Sequence, residues 1–286
     1  MPLQSILCKV ILCEQSDILI LLCLLKDTYM SAPDRYMDQV QSILTRIHDT
    51  QSAAIDQAAD QFARTIAADG LVHMFATGHS RVFIEEMFPR YGSFPGFHSI
   101  VELSLTYHNQ VVGANGQRQA LFIEHMEGFA KVILRNFVFR EVDCFLLFSN
   151  SGVNEVPVDM ALEVKQLGMP LIAVTSLAHS GQATPRHSSG KRLSEIADVV
   201  IDNCVPAGDA VVEVAGFPAP VGPASTIAMA AITNMIKCGV AEKLAAQGIS
   251  LPVITSAGTV GAARSTELFD AAYDEYRRRY IRALGG

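Results

Sequence analysis

The residues best placed to do chemistry are those of Ser149-Asn150-Ser151-Gly152, which close an unbroken apolar run from Cys144 to Phe148. A helical pattern over Glu155 to Leu167 follows almost at once. Apolar run, tight loop and helix, in that order, read as a buried parallel strand feeding a helix N-terminus. The first N–H groups of a helix lack intrahelical partners and carry partial positive charge. Hydroxyls set before them complete a cradle for a phosphate or a carboxylate. An ordinary helix N-cap uses the same residue types, and that alternative stays open. A second loop, Gly78-His79-Ser80, follows the apolar run Leu71 to Ala76. Glycine there lets the backbone approach a ligand closely. His79 reads equally as a contact to that ligand or as a structural histidine. A third pair, Thr175 and Ser176, ends the run from Pro170. Ser225 and Thr226 open a long helix, where dipole and hydroxyls favour an anion, or simply cap the helix. His187, Ser188, Ser189 and Lys191 lie in a polar loop with little core to bury a histidine. Together they offer a clamp for an anionic group, with Lys191 as a point charge. A surface loop with incidental charge is the other reading.

These loops need elements to hold them. The spacing predicts a helix over 34–69, a strand over 71–76, a helix over 81–90 and a short strand over 99–103. A polar connection over 104–117 leads into one continuous amphipathic helix over 118–137. Strands over 144–148, 170–175 and 199–202 alternate with a helix over 155–167, a long loop to Arg192 and a short helix over 193–197. Val211–Val214 is a possible further strand. The helix over 224–247 is apolar almost all round, which expects burial between the sheet and a partner subunit. A terminal helix covers 265–284. Strands alternating with helices give an α/β fold, a three-layer αβα sandwich with a central parallel sheet. Ligands of such sheets bind at the carboxyl ends of the strands, where the hydroxyl-rich loops lie.

The chain has 286 residues, 50% hydrophobic and 18% charged, with a formal net charge of -7. Its one basic run, Arg277-Arg278-Arg279, is flanked by Asp274 and Glu275 and reads as a solvated helix face, so no nucleic-acid partner is expected. The 6 cysteines lack zinc-type or CxxC spacing. Cys8, Cys13 and Cys23 lie near the start, while Cys144, Cys204 and Cys238 sit in apolar segments and read as small buried hydrophobes. A reducing cytoplasm fits that usage. His98, His108 and His125 share no metal-ligand spacing, and His73 on an apolar strand reads as a core histidine, so no metal is expected. Ile18 to Leu25 is too short to span a bilayer. Residues 1–29 are expected to be an extension upstream of the natural start at Met30, with a degenerate membrane or export segment as the alternative; no membrane partner is assigned. No Gly-x-Gly-x-x-Gly is present, which disfavours a dinucleotide.

Four segments together resemble the SIS (sugar isomerase) domain: Phe75-Ala-Thr-Gly-His-Ser80, Phe148-Ser-Asn-Ser-Gly152, Ile172-Ala-Val-Thr-Ser176 and Gly222-Pro-Ala-Ser-Thr226. Arg186-His-Ser-Ser-Gly-Lys-Arg-Leu193 and Glu127-Gly-Phe-Ala-Lys131 are similar to a bacterial SIS subgroup of uncharacterised function. The resemblance implies a nucleotide-free fold without cofactor that binds a phosphosugar, here over 34–257 with a C-terminal helix over 262–286 packed on the domain or on a partner, and a homodimer or homotetramer. It implies proton-transfer chemistry, isomerisation or etherase-type elimination, on a sugar or amino-sugar phosphate; a non-catalytic sugar-phosphate sensor is the alternative. Ser149, Asn150, Ser151 and Gly152 match the family's phosphate loop, with Asn154 where relatives often carry Ser or Thr. Isomerases and etherases need a base beside a carbonyl. Glu85 and Glu86, on the helix after the second loop, are candidates or plain surface charge. Glu127 resembles the second acidic position of the etherase relatives, and Glu124 lies one turn earlier on the same helix face. His187 matches the use some SIS isomerases make of a histidine. The catalytic candidates are therefore Glu127, Glu86 and His187.

Overall fold

The computed structural model describes residues 30–106 and 116–285. Residues 1–29, with Cys8, Cys13 and Cys23, and His108 lie outside the described residues. The chain opens on helix α1 (Ala32–Ala67), capped by the Ser31 hydroxyl, which accepts from the Asp34 N–H at 3.3 Å. Strand β1 (Val72–Ala76) leads through a 3-10 turn to α2 (Val82–Met87) and the short β2 (Phe97–Ser99). Then come α3 (Leu103–Thr106), α4 (Gly116–Glu124), α5 (Phe129–Leu134), β3 (Cys144–Phe148), α6 (Glu155–Gln166), β4 (Leu171–Thr175), α7 (Leu177–Gln182) and β5 (Val199–Asp202). The chain ends with β6 (Ala210–Val212), β7 (Val221–Pro223), α8 (Ser225–Ala246), α9 (Ala257–Val260) and α10 (Ala262–Ala283).

Five strands form one parallel sheet in the order β2-β1-β3-β4-β5. Strands β1, β3 and β4 are buried along their whole length, as expected of parallel strands covered on both faces. Side chains alternate between two cores. Met74, Ala76, Cys144, Leu146 and Phe148 pack with α1, α2 and α8. Phe75, Phe145, Leu147 and Ala173 pack with α5 and α6 on the other face. This is the three-layer αβα sandwich. Register aligns the carboxyl ends: Ala76 pairs with Phe148, and Phe148 with Val174. The loops after β1, β3 and β4 therefore emerge along one edge. Among the described residues no helix is long and apolar enough to cross a membrane.

Several expectations are corrected. The short second strand ends at Ser99 rather than starting there. The continuous helix expected over 118–137 is two helices, α4 and α5. Gly128 adopts φ 84 between them, and the buried Asp159 carboxylate of α6 accepts from the N–H groups of Gly128 (2.9 Å) and Ala130 (3.1 Å). Helix α7 occupies the start of the expected loop after β4, capped by Ser176. The further strand expected over 211–214 is β6, one residue earlier and shorter, and it pairs with β7 as an antiparallel ribbon. The basic run of α10 is not a solvated face. Arg277 fits that reading, but Arg279 is 6% exposed and its guanidinium donates to the carbonyls of Ile66 (3.0 Å) and Gly70 (2.8 Å), at the C-terminal end of α1. Arg278 and Arg282 pair with Asp69 there, which holds that carboxyl well below the usual range. Of the three described cysteines only Cys144 is buried; Cys204 is half-buried and Cys238 exposed.

Candidate functional site

The chain runs from β1 out to β2, returns to β3 beside β1, and proceeds through β4 to β5. The direction of winding reverses between β1 and β3, and the helices after those strands part to leave a crevice at their carboxyl ends. The loops that border it are Thr77–Ser80 and Ser149–Gly152. Beside the first of these loops a cavity of about 190 Å³ opens toward α4, lined by Thr77, Gly78, His79, Leu105, Gln117, Ala120, Leu121 and Glu124. Gly78 has φ +56, a conformation that favours glycine, and nothing lies within 4 Å of where a Cβ would stand. His79 is exposed and Ser80 half-buried.

Glu124 is the buried acid of this cavity, 9% exposed at the end of α4. Its Oε1 accepts from the Thr77 hydroxyl, and its Oε2 from the Asn154 amide at 2.8 Å. Asn154 Oδ1 accepts in turn from Arg186 at 2.8 Å. Asn154 occupies the N-cap position of α6, yet its side chain makes no capping bond. On the loop itself Ser149 Oγ accepts from the Gly152 N–H at 3.2 Å. Ser151 is half-buried, and its hydroxyl has no bond to another described residue. A Cβ on Gly152 (φ +62) would stand 2.8 Å from Thr175 Oγ1, so the loop passes too close to β4 for any side chain.

Thr175 and Ser176 do not reach the crevice. Both are fully buried. Thr175 Oγ1 donates to the Asn150 carbonyl at 3.3 Å, and Ser176 Oγ to that of Val205 at 2.6 Å. They brace the loop from beneath, as does Asn203, whose amide donates to Asn150 Oδ1 at 2.8 Å. Ser225 is taken as well. Asp209 accepts from the N–H groups of Ala224 (3.0 Å) and Ser225 (2.7 Å) and from the Ser225 hydroxyl (2.7 Å). A carboxylate thus already fills the α8 N-terminus, which disfavours a second anion; Thr226 is exposed beside it.

The acids singled out by sequence lie elsewhere. Glu86 faces α8. It accepts from Asn234 Nδ2 at 2.8 Å and pairs with Arg90, while Lys237 Nζ donates to its carbonyl at 2.7 Å. Burial pushes the Lys237 ammonium down. Glu127 sits in the α4–α5 turn and accepts from the Ser188 N–H and hydroxyl, both at 2.6 Å. Those bonds hold it below the usual carboxylate range, the hydroxyl most of all, and so weaken it as a base. The His187 side chain is only 9% exposed, with Nε2 3.9 Å from both Glu127 and Asp159. Its Nδ1 accepts from the Ser189 N–H at 3.0 Å, which leaves the proton of a neutral ring on Nε2. This segment straps over α6: the Arg186 N–H donates to Val153 O (3.1 Å) and the Leu193 N–H to Gly152 O (2.8 Å). Lys191 is exposed on it. Among the described residues no cluster of His, Cys, Asp and Glu is arranged to hold a metal ion.

Comparison with known proteins agrees with the fold. Residues 35–176 match the SIS domain model. A UPF0309 protein of Listeria innocua serovar 6a is 32% identical over 246 residues, 86% of this chain and 96% of its own length. The chain belongs to the UPF0309 family. Another UPF0309 protein, from Caldanaerobacter subterraneus subsp. tengcongensis, is 33% identical over 232 residues, 80% of this chain and 92% of its own. Among solved structures, a phosphoheptose isomerase from Neisseria gonorrhoeae covers 71% of this UPF0309 chain and 94% of its own, at 13% identity and a TM-score of 0.44.

Proposed function

We propose that the protein binds a phosphorylated sugar or amino sugar across the β1/β3 crevice and moves a proton on it. The phosphate sits on the Ser149–Gly152 loop and the N-terminus of α6, where Ser151 and the first-turn N–H groups face it. The sugar chain then runs toward Thr77, His79 and Glu124. One observation carries the reading: a buried carboxylate, Glu124, faces a cavity at the switch point of a SIS-type sheet. Aldose–ketose isomerisation needs a single such group, which takes the proton beside the carbonyl and returns it to the neighbouring carbon. Glu124 takes the role first given to Glu127, and Glu86 has no part in it. We also infer a homodimer or homotetramer in a reducing cytoplasm; Phe122, 72% exposed on α4, supports an assembly that covers it.

The test is a thermal-shift and turnover screen of the full chain against sugar 6-phosphates, ketose phosphates and the matching free sugars. A shift with a phosphosugar but not its free sugar is expected, weakened in Ser151→Ala. Turnover should fall by roughly 10²-fold or more in Glu124→Gln, with binding kept. Binding without turnover would make the protein a sensor. No shift with any phosphate would refute the site.

A further inference from the structure

We propose that Asn154 is a positioning residue that aims the Glu124 carboxylate from the phosphate loop, and that Arg186 fixes Asn154 for that task. This rests on the reading of Glu124 as the proton-transfer group. Asn154 opens α6, yet its side chain leaves the helix end and bridges two charged groups instead. A guanidinium only donates and a carboxylate only accepts, so the amide has one possible orientation: oxygen on Arg186, nitrogen on Glu124, each at 2.8 Å. A hydroxyl at this position has one heavy atom and cannot span both partners. An aspartate would set one carboxylate against another.

Glu124 is the last residue of α4 and has no further helical turn to steady it. Thr77 holds Oε1 from the β1 loop, and Asn154 holds Oε2 from the β3 side of the crevice. Thr77 is buried directly after the last residue of β1. Asn154 stands two residues past Gly152, so the segment that seats the anion also sets the angle of the acid. A misplacement of about 1 Å in a reacting group costs on the order of 10²-fold in rate. That sensitivity gives the bridge its effect.

The experiment measures kcat and KM with the phosphosugar turned over in the screen, the inhibition constant of inorganic phosphate, and Tm. Asn154→Ser should lower kcat by at least about tenfold. KM and the phosphate constant should stay within about twofold, because Ser149 and Ser151 are untouched. Arg186→Met should lower kcat in the same direction. The double variant should be no worse than Asn154→Ser within about twofold, since both changes act on one amide. A weakened phosphate constant with kcat unchanged would make Asn154 a phosphate ligand and overturn the proposal. So would a fall in Tm large enough to account for the lost rate. Arg186 is exposed, so Arg186→Met keeps the test open if Asn154→Ser does not fold. Turnover lost in Glu124→Gln but intact in Asn154→Ser and Arg186→Met overturns this inference alone. No turnover with any sugar overturns it together with the catalytic reading.

Discussion

Glu124 and Glu127 are three residues apart, and on a continuous helix they would share a face. Helix α4 ends at Glu124, and the αL turn at Gly128, captured by Asp159, starts a new helix just past Glu127. Glu124 then points into the crevice and Glu127 anchors the 186–193 strap through Ser188. Amphipathic spacing continues through the break, so periodicity alone cannot show it; the glycine was its only signal. Gly152 is the reverse case, a residue whose need is plain at its own scale. Its φ is +62, and an added methyl would meet Thr175 Oγ1 at 2.8 Å. Gly152→Ala should cost roughly 1–3 kcal/mol from backbone strain and contact together. Urea unfolding of the variant checks this, and a loss below about 0.5 kcal/mol would show that the loop relaxes freely.

Helix ends separate two sites that look alike in sequence. Both α6 and α8 begin with small hydroxyl or amide residues after an extended segment. At α8 the orphan N–H groups are met by Asp209, 15 and 16 residues earlier in the chain and itself at φ 70. At α6 the cap residue turns away and the end stays without a side-chain cap. Asp209→Ala should lose about 1–2 kcal/mol, the usual worth of a strong N-cap. Chemical denaturation measures it, and an unchanged midpoint would show that the cap carries no stability. The main strands were legible because buried parallel strands leave unbroken apolar runs, and β1, β3, β4 and β5 fall within a residue of the expected spans. The loops at their carboxyl ends were legible for the same reason. Their occupancy was not. Thr175 and Ser176 have the residue types of a ligand loop but brace Asn150 and Val205. Which of two hydroxyl-rich edges faces a cavity depends on partners distant in sequence, such as Asp209 and Asn203.

At the scale of the whole molecule, α10 ties the C-terminus back to the end of α1 through Arg278, Arg279 and Asp69, and it brings Tyr280 over a buried histidine pair. His73 and His98 are both fully enclosed, with their Nδ1 atoms 2.7 Å apart. His73 Nε2 lies 3.3 Å from Asp143 Oδ2, and Phe137, Phe139 and Phe145 complete the surround. One proton must lie between the two Nδ1 atoms. Burial, reinforced by His73, pushes His98 from its ordinary 6.5 down to about 3. In the unfolded chain the same ring titrates near its ordinary value, so below that pH the unfolded state binds the extra proton and the folded state does not. Stability therefore falls as pH drops from 6.5 toward 3, by up to about 1.4 kcal/mol for each unit. The lowered carboxyls of Asp69 and Asp143 act in the same direction at lower pH, since each must be protonated on acid unfolding. Urea denaturation at a series of pH values above and below 6.5 should show this slope, and His98→Phe should flatten it even if its absolute stability differs. An equal slope in that variant would place the acid sensitivity elsewhere than in the histidine pair.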